Sequence, residues 1–431
     1  MQTKIASRQS AAKVSIESKF PQVLNKLASE KIFALLSQMK VGAIEMELPD
    51  GTCKRFGAAE GAPVSKLQVL NPDFFTRCLL YADLGLAESY LDGLCLIDDI
   101  RGLITWFLDN NEQSPVLNES ENLSRILNLL GLVNKLLHRT RRNSELKSKS
   151  NISEHYDLGN EFFKSFLDCS LTYSSALFTH AAENLFDAQI NKFDRICKQL
   201  RLKEGERLLE IGSGWGGFSV YAAKNYGTHI TAITISEEQY SYMAELIKRE
   251  KLQNLIELQL KDYRKLEGKF DKIVSIEMIE AVGEEYIDEY IAKIDSLLKP
   301  HGIVLLQLIS CPDSRYETLA KNVDFIQKHI FPGSLLQSQH RVNMAMRKSG
   351  DLFPVDLFDL TESYVRTLEI WQENFNNNWS QIEKLGFDER FRRKWNYYFE
   401  YCQAAFYSRN ISALQLTYSR PNNKSLNRSF K

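Results

Sequence analysis

Leu208-Leu209-Glu210-Ile211-Gly212-Ser213-Gly214-Trp215-Gly216-Gly217-Phe218 is an apolar run that breaks into glycines and then resumes. It reads as a buried strand turning sharply into a helix that starts near Phe218. Gly212, Gly214, Gly216 and Gly217 permit the turn and let the backbone approach a ligand with no Cβ in between. The helix then directs its positive N-terminal end at the same place. This geometry suits a nucleotide-like ligand. Glu210 adds a carboxylate at the strand end, which repels a diphosphate and favours a cation. S-adenosylmethionine, with an ammonium and a sulfonium, meets that description; the alternative is a glycine turn used for packing alone.

Working outward, residues 230–235, 255–260, 270–276 and 302–309 read as further strands, with helices over 182–200, 236–250 and 286–298. Strands alternating with helices predict an α/β fold with a parallel, doubly wound sheet, whose ligand crevice lies at the C-terminal strand ends. Those ends carry Glu210, Thr234 with Ser236 and Gln239, Asp262 with Tyr263, Glu277 with Glu280, and Gln307. An insertion over 310–351 holds an aromatic, partly polar stretch at 324–333, as a lid or acyl-chain wall would. Strands at 352–359 and 413–420 follow, separated by helices whose Trp371, Phe375, Trp379, Trp395 and Phe399 are expected in a core.

Residues 1–18 are polar and aperiodic, a mobile leader. Residues 19–115 form a small α+β domain: Val23, Leu24, Leu27, Ile32, Leu35 and Leu36 recur at helical spacing, and 44–57 is a hairpin turning at Asp50-Gly51. In the linker, 116–150, Ile126, Leu129, Leu130, Leu132, Val133, Leu136 and Leu137 line an amphipathic helix, with Lys135, Arg139, Arg141, Arg142, Lys147 and Lys149 following almost at once. Such a segment either lies in the headgroup layer of an anionic bilayer, each basic residue contributing about 1 kcal/mol, or is an interdomain helix with a solvated basic tail. Residues 151–421 make the main domain and 422–431 a disordered tail. The formal net charge of −1 excludes a chain-wide basic character and argues against nucleic acid. Seven scattered cysteines without metal-ligand spacing point to a reducing cytosol and no metal.

From Ser153 to Pro421 the chain resembles the cyclopropane fatty acid synthase family. The resemblance rests on His155-Tyr156-Asp157, Thr172-Tyr173-Ser174, the run Glu210 to Gly217, Thr234-Ile235-Ser236 with Gln239, Asp262-Tyr263-Arg264, Glu277-Met278-Ile279-Glu280-Ala281-Val282-Gly283, Ile330-Phe331-Pro332-Gly333, and Tyr397 to Phe406. With Gln307, the Glu277 run is most similar to the plant type. The resemblance implies a class I methyltransferase (Rossmann-like) fold with a mostly helical lid, using S-adenosylmethionine on a cis double bond of a phospholipid acyl chain. Tyr173 and Ser174 would border the methionine moiety. Gly212 and Gly214 would pack beneath the cofactor, Thr234 and Gln239 hold the ribose, and Asp262 and Tyr263 lie near the adenine, with Glu210, Gly216 and Ser236 also expected to bind the cofactor.

The resemblance also implies a carbocation faced by aromatic rings, with Tyr156, Phe163, Phe325 and Tyr364 as candidates. The base would be a bicarbonate bound by Glu280, Ser175, Gln307, Ile309 and Tyr364. Ser175 stands where the family usually has cysteine, and Gln307 where bacterial and mycolic members have histidine. Without an efficient base the cation undergoes a hydride shift or loses another proton, giving a methyl-branched or methylene chain instead of a cyclopropane. A small-molecule methyltransferase and a catalytically silent lipid or cofactor binder are the competing classes. The expected partner is unsaturated phospholipid in a membrane surface, met by a cytoplasmic, peripherally associated protein, with a homodimer as the assembly to test.

Overall fold

The computed structural model describes residues 19–111 and 158–426. The leader, the basic linker segment and the His155-Tyr156-Asp157 motif lie outside these residues. The chain divides into two compact units, Met1–Asp99 and Ile100–Lys431.

The first unit has α1 (Gln22–Leu36), β1 (Ala43–Glu47), β2 (Cys53–Gly57), β3 (Ser65–Val69), α2 (Asp73–Leu91) and β4 (Cys95–Ile97), with sheet order β2-β1-β3-β4. The hairpin at Asp50-Gly51 forms as the sequence predicts, Ala43 pairing with Gly57 and Glu47 with Cys53. The apolar periodicity of α1 matches its buried face at Leu36 but not in its first turns. Val23 is 72% and Leu27 54% exposed, whereas Asn25 and Ala28 are buried. A polar knot orients the helix: Asn25 Nδ2 donates to Asp73 Oδ1 at 2.8 Å and accepts on Oδ1 from Thr76 Oγ1 at 2.5 Å. Buried polar groups must be paired, so this network overrides the apolar stripe.

The larger unit starts with α3 (Ile100–Asn111), ahead of the boundary expected after residue 115, because α3 is bonded within it. Arg101 Nη1 reaches Glu369 Oε1 at 2.7 Å, its backbone N–H donates to Glu400, and its guanidinium lies over the Tyr407 ring. There follow α4 (Asn160–Lys164), α5 (Leu185–Leu200), β5 (Arg207–Ile211), α6 (Gly217–Tyr226), β6 (His229–Thr234), α7 (Glu237–Arg249), β7 (Ile256–Leu260), β8 (Phe270–Ile276), α8 (Ile287–Leu297) and β9 (Leu298–Cys311). The insertion supplies α9 (Asp313–Lys321), α10 (Phe325–His329), β10 (Gln337–Ser338) and α11 (Gln339–Ser349). The chain then continues through β11 (Phe353–Asp359), α12 (Thr361–Asn377), α13 (Trp379–Lys384), α14 (Glu389–Tyr407) and β12 (Ser412–Ser419).

The sheet order is β11-β12-β9-β8-β5-β6-β7, with β10 added beside β9. Strands β5 to β9 are parallel, while β12 runs antiparallel to β9 and β11 antiparallel to β12. One face is covered by Tyr290, Ile291, Ile294, Val342 and Met346, the other by Phe193, Ile196, Phe218, Ala222 and Met243. The order reverses at β5, whose neighbours are β6 and β8, so the open crevice lies beyond the C-terminal ends of β5 and β8.

The expected tail is anchored as far as residue 426. Asn423 is buried and its Nδ2 donates to His301 O at 3.0 Å and Ser419 Oγ at 2.8 Å.

The aromatic helices are core, as their composition predicts, with Trp371, Phe375, Trp395 and Phe399 buried, although Trp379 is only half-buried. Phe162 is fully buried with ring centroids 4.7 Å from Trp395 and 5.3 Å from both Phe387 and Phe391. Phe162→Ala should therefore cost about 3–5 kcal/mol, seen as a lower urea midpoint with an unchanged slope.

Candidate active site

The glycine turn leaves β5 and enters α6 with Gly212, Gly214 and Gly216 all at positive φ. Two of them are packed from below. A Cβ on Gly212 would meet Met278 Cγ at 2.7 Å, and one on Gly216 would meet Met243 Cγ at 2.8 Å. Gly214 differs, because a Cβ there would enter open space. That space, with the buried Ser213 hydroxyl lacking a hydrogen-bond partner among the described residues, is a cradle for a ligand above the turn.

Glu210 does not present a free anion to that cradle. It is buried and accepts from Ser219 Oγ on α6, and burial pushes its carboxyl up to about 8, so it is largely neutral at pH 7. The charge argument from sequence is corrected accordingly: the strand end is sealed beneath the turn and Glu210 ties β5 to α6.

At the end of β6, Thr234 Oγ1 donates to Gln239 Oε1 at 2.8 Å, and Ser236 caps α7 by accepting from Gln239 N. Asp262, beyond β7, accepts from Arg264 N at 2.9 Å, and buried Tyr263 lies edge-on to Tyr290 at 5.0 Å. The residues expected for ribose and adenine therefore lie along the same strand ends as the turn.

Loop 168–178 closes the other side. Asp168 accepts from Ser170 N at 2.8 Å and Thr172 N at 3.3 Å. From α5, Gln189 Nε2 donates to Ser174 O at 3.0 Å and Lys192 Nζ to Ser174 Oγ at 2.7 Å. From α12, Thr367 Oγ1 accepts from Ala176 N at 3.1 Å. Tyr173 is held among rings, its centroid 5.2 Å from Trp371, 5.5 Å from Phe163 and 6.1 Å from Phe331, and its OH donates to Tyr398 OH at 3.1 Å. Of the candidate cation-facing rings, Phe163 and Tyr364 border this group. Phe325 packs against Tyr397 at 4.7 Å, and Tyr156 lies outside the described residues.

The residues expected to surround Glu280 divide between two carboxylates. Glu280 is buried, and its Oε1 accepts from Ile309 N at 2.5 Å while Oε2 has no partner among the described residues. Burial, followed by the neighbouring Glu277 charge, pushes it up to about 8. Ser175, Gln307 and Tyr364 address Glu277 instead. Ser175 N donates to Oε1 at 3.0 Å, Gln307 Nε2 to Oε1 at 2.8 Å, and Tyr364 OH to Oε2 at 2.7 Å. Burial raises Glu277, with those donors and Lys192 opposing it, and burial raises Tyr364 well above the ordinary phenol range. Gln415 Nε2 donates to Gln307 Oε1 at 3.0 Å and so aims the Gln307 amide nitrogen at Glu277. Three donors expected for bicarbonate are therefore engaged by a protein carboxylate, and as arranged these residues do not fit a separate bicarbonate.

Sequence reading placed Glu277 at its strand end without assigning it to the base site. It also missed Lys192 and Gln415. Lys192 is 0% exposed on the buried face of α5, beside Ala188 and Phe193, and burial lowers it to about 7 against the pull of Glu277, Asp168 and Glu210. A polar residue on an apolar stripe was its available signal. Gln415 faces Gln307 only through the antiparallel register of β12 on β9, which sequence does not show.

The sheet order, its antiparallel end and a glycine cradle at the reversal point define a class I S-adenosylmethionine-dependent methyltransferase. The chain belongs to the mycolic acid cyclopropane synthetase family, which matches residues 143–416. It is 36% identical over 369 residues to the cyclopropane-fatty-acyl-phospholipid synthase of Escherichia coli, covering 84% of this chain and 90% of that one. It is 35% identical over 395 residues to the tuberculostearic acid methyltransferase of Mycobacterium tuberculosis, covering 86% of each. The crystal structure of mycolic acid cyclopropane synthase CmaA1 complexed with SAH and CTAB superposes with a TM-score of 0.59 at 29% identity, over 63% of this chain and 98% of that one. Coclaurine N-methyltransferase, at 21% identity and a TM-score of 0.59 over 78% of this chain and 99% of that one, shares the fold.

Three outcomes follow from this geometry. Gly214→Ala should lower thermal stability only modestly, by about 1–2 kcal/mol for its positive φ, yet weaken S-adenosylhomocysteine binding at least about tenfold in calorimetry. Gly212→Ala should damage both, because its methyl meets Met278. Glu280 holds its proton to about pH 8 when folded, against 4.5 as the ordinary value, so its burial disfavours folding increasingly as pH rises through that window. Glu280→Gln should flatten the decline of the urea midpoint between those pH values.

Proposed function

We propose that the protein transfers a methyl group from S-adenosylmethionine to the cis double bond of an unsaturated phospholipid acyl chain and closes it to a cyclopropane. The observation that carries this reading is the juxtaposition of an aromatic enclosure with buried carboxylates beside the cofactor crevice. Tyr173, Trp371, Tyr364 and Phe406 form a continuous ring wall, Tyr364 stacking on Phe406 at 4.5 Å, and Tyr364 also bonds Glu277.

S-adenosylmethionine supplies an electrophilic methyl group on a sulfonium. A π bond is a weak nucleophile, so the protein must align it and keep water from the cation that follows. The tethered 168–178 loop fixes one wall of the crevice and the α12 rings another. Ring faces offer a carbocation the quadrupole attraction they offer ammonium groups, about 0.5–2 kcal/mol each. Kinship supports the substrate class, since one relative is named for acyl-phospholipid cyclopropanation. A relative of nearly equal identity is named for tuberculostearic acid methylation, which supports a second outcome, transfer without ring closure. For access to lipid, the supporting feature is the run of basic residues from Arg139 to Lys149 after an apolar stripe. No helix among the described residues is long and apolar enough to cross a membrane.

Incubation with vesicles of cis-unsaturated, partly anionic phospholipid and methyl-labelled S-adenosylmethionine should place label in acyl chains one methylene unit heavier, and mass spectrometry should show a cyclopropane. Label found only in water-soluble acceptors sinks the reading. Neutralising Arg139, Arg141, Arg142, Lys147 and Lys149 together should cut the rate on anionic vesicles at least about tenfold while leaving S-adenosylhomocysteine affinity unchanged.

A further inference from the structure

Glu277 combines features that packing alone does not require. It immediately follows β8, at the strand-order reversal, and its φ is +48°, a left-handed conformation that costs a non-glycine residue about 1–2 kcal/mol. Its own N–H donates to Gln307 O at 2.8 Å, so the same residue grips both the backbone and the side chain of Gln307. The strained backbone delivers the carboxylate to Ser175 N, Gln307 Nε2 and Tyr364 OH. Oε1 accepts two of these bonds and Oε2 one, which leaves Oε2 an acceptor position, the minimum a base requires.

Neighbouring groups keep that arrangement in place. Gln415 holds the Gln307 amide in the orientation that donates to Glu277, and Tyr364 is pinned between Phe406 and Trp371. Glu280 is less suited to the role. It lies deeper, is bonded to Ile309 N, and its second oxygen is buried without a partner, a setting that holds a carboxyl protonated.

We propose that the Glu277 carboxylate, held by Ser175, Gln307 and Tyr364, is the base of ring closure and occupies the cradle in which a bicarbonate was expected. This rests on the cyclopropanation reading above. In the step, Oε2 takes a proton from the transferred methyl group. The electron pair of that C–H bond forms the new C–C bond to the cationic carbon, discharging the cation and completing the ring. Glu277 is left as a carboxylic acid and returns its proton to solvent before the next turnover. No external anion enters the balance.

The test uses the full chain, cis-unsaturated phospholipid vesicles and labelled S-adenosylmethionine, in buffer stripped of bicarbonate and then resupplied with it. The wild-type cyclopropane yield should change by less than about twofold between the two conditions. The near-isosteric Glu277→Gln, checked for folding by its circular dichroism, should lose cyclopropane formation by about 10²–10⁴-fold, with any remaining label in methyl-branched or methylene chains. A wild-type yield that falls at least tenfold without bicarbonate and returns with it overturns the proposal, as does a Glu277→Gln variant that makes cyclopropane at the parental rate. Wild-type labelling of lipid without any ring overturns the proposal while leaving lipid methylation standing. No labelling of lipid by the wild type strikes the functional reading itself.

Discussion

One carboxylate joins the distant parts of the site. Glu277, at the end of β8, bonds the backbone of Ser175 in the loop before α5, the amide of Gln307 on β9 and the phenol of Tyr364 on α12. These groups are 102, 30 and 87 residues away along the chain. Each bond to an ionised acceptor is worth about 1.5–3 kcal/mol, so removing the carboxylate releases a loop wall, a strand amide and an aromatic wall at once. The positive φ of Glu277 is tolerated because these partners over-determine it.

The electrostatics around that carboxylate follow from burial. Asp168, Glu210, Glu277 and Glu280 are all raised chiefly by desolvation, and Lys192, the buried cation among them, is lowered by the same cause. Water is excluded where the chemistry needs it excluded, and the protein offsets the loss with directed hydrogen bonds. Ser219 serves Glu210, Ile309 serves Glu280, and Ser174 serves Lys192. A cationic cofactor entering such a crevice meets carboxyls whose proton occupancy its charge can shift.

Packing gives the crevice its rigidity. The rings of α4, α12 and α14 interlock through Phe162, Phe375 and Trp395, joined by Phe166 just after α4, and they back the wall formed by Tyr173 and Trp371. The glycine turn is braced by Met243 and Met278, leaving Gly214 as the point where the backbone faces open space. The crevice is thus flanked by two packed layers, and the loop 168–178 beside it is tied to α5 and α12.

Local chemistry made much of this legible in the amino-acid order. Strand and helix periodicity predicts β5 to β9 and the helices between them, and the glycine run predicts the turn, because each depends on neighbours a few residues away. The aromatic content of α12 and α14 announces a core for the same reason. The partner of each buried polar group was not legible, because it is set by register and helix rotation. Gln415 meets Gln307 through an antiparallel pairing, Asn25 turns α1 away from its apolar stripe, and Glu210 is covered by Ser219 rather than offered to a ligand. Above all, Ser175, Gln307 and Tyr364 are recognisable as polar site residues in the sequence, but only the folded backbone, bent at Glu277, brings them onto that carboxylate instead of Glu280.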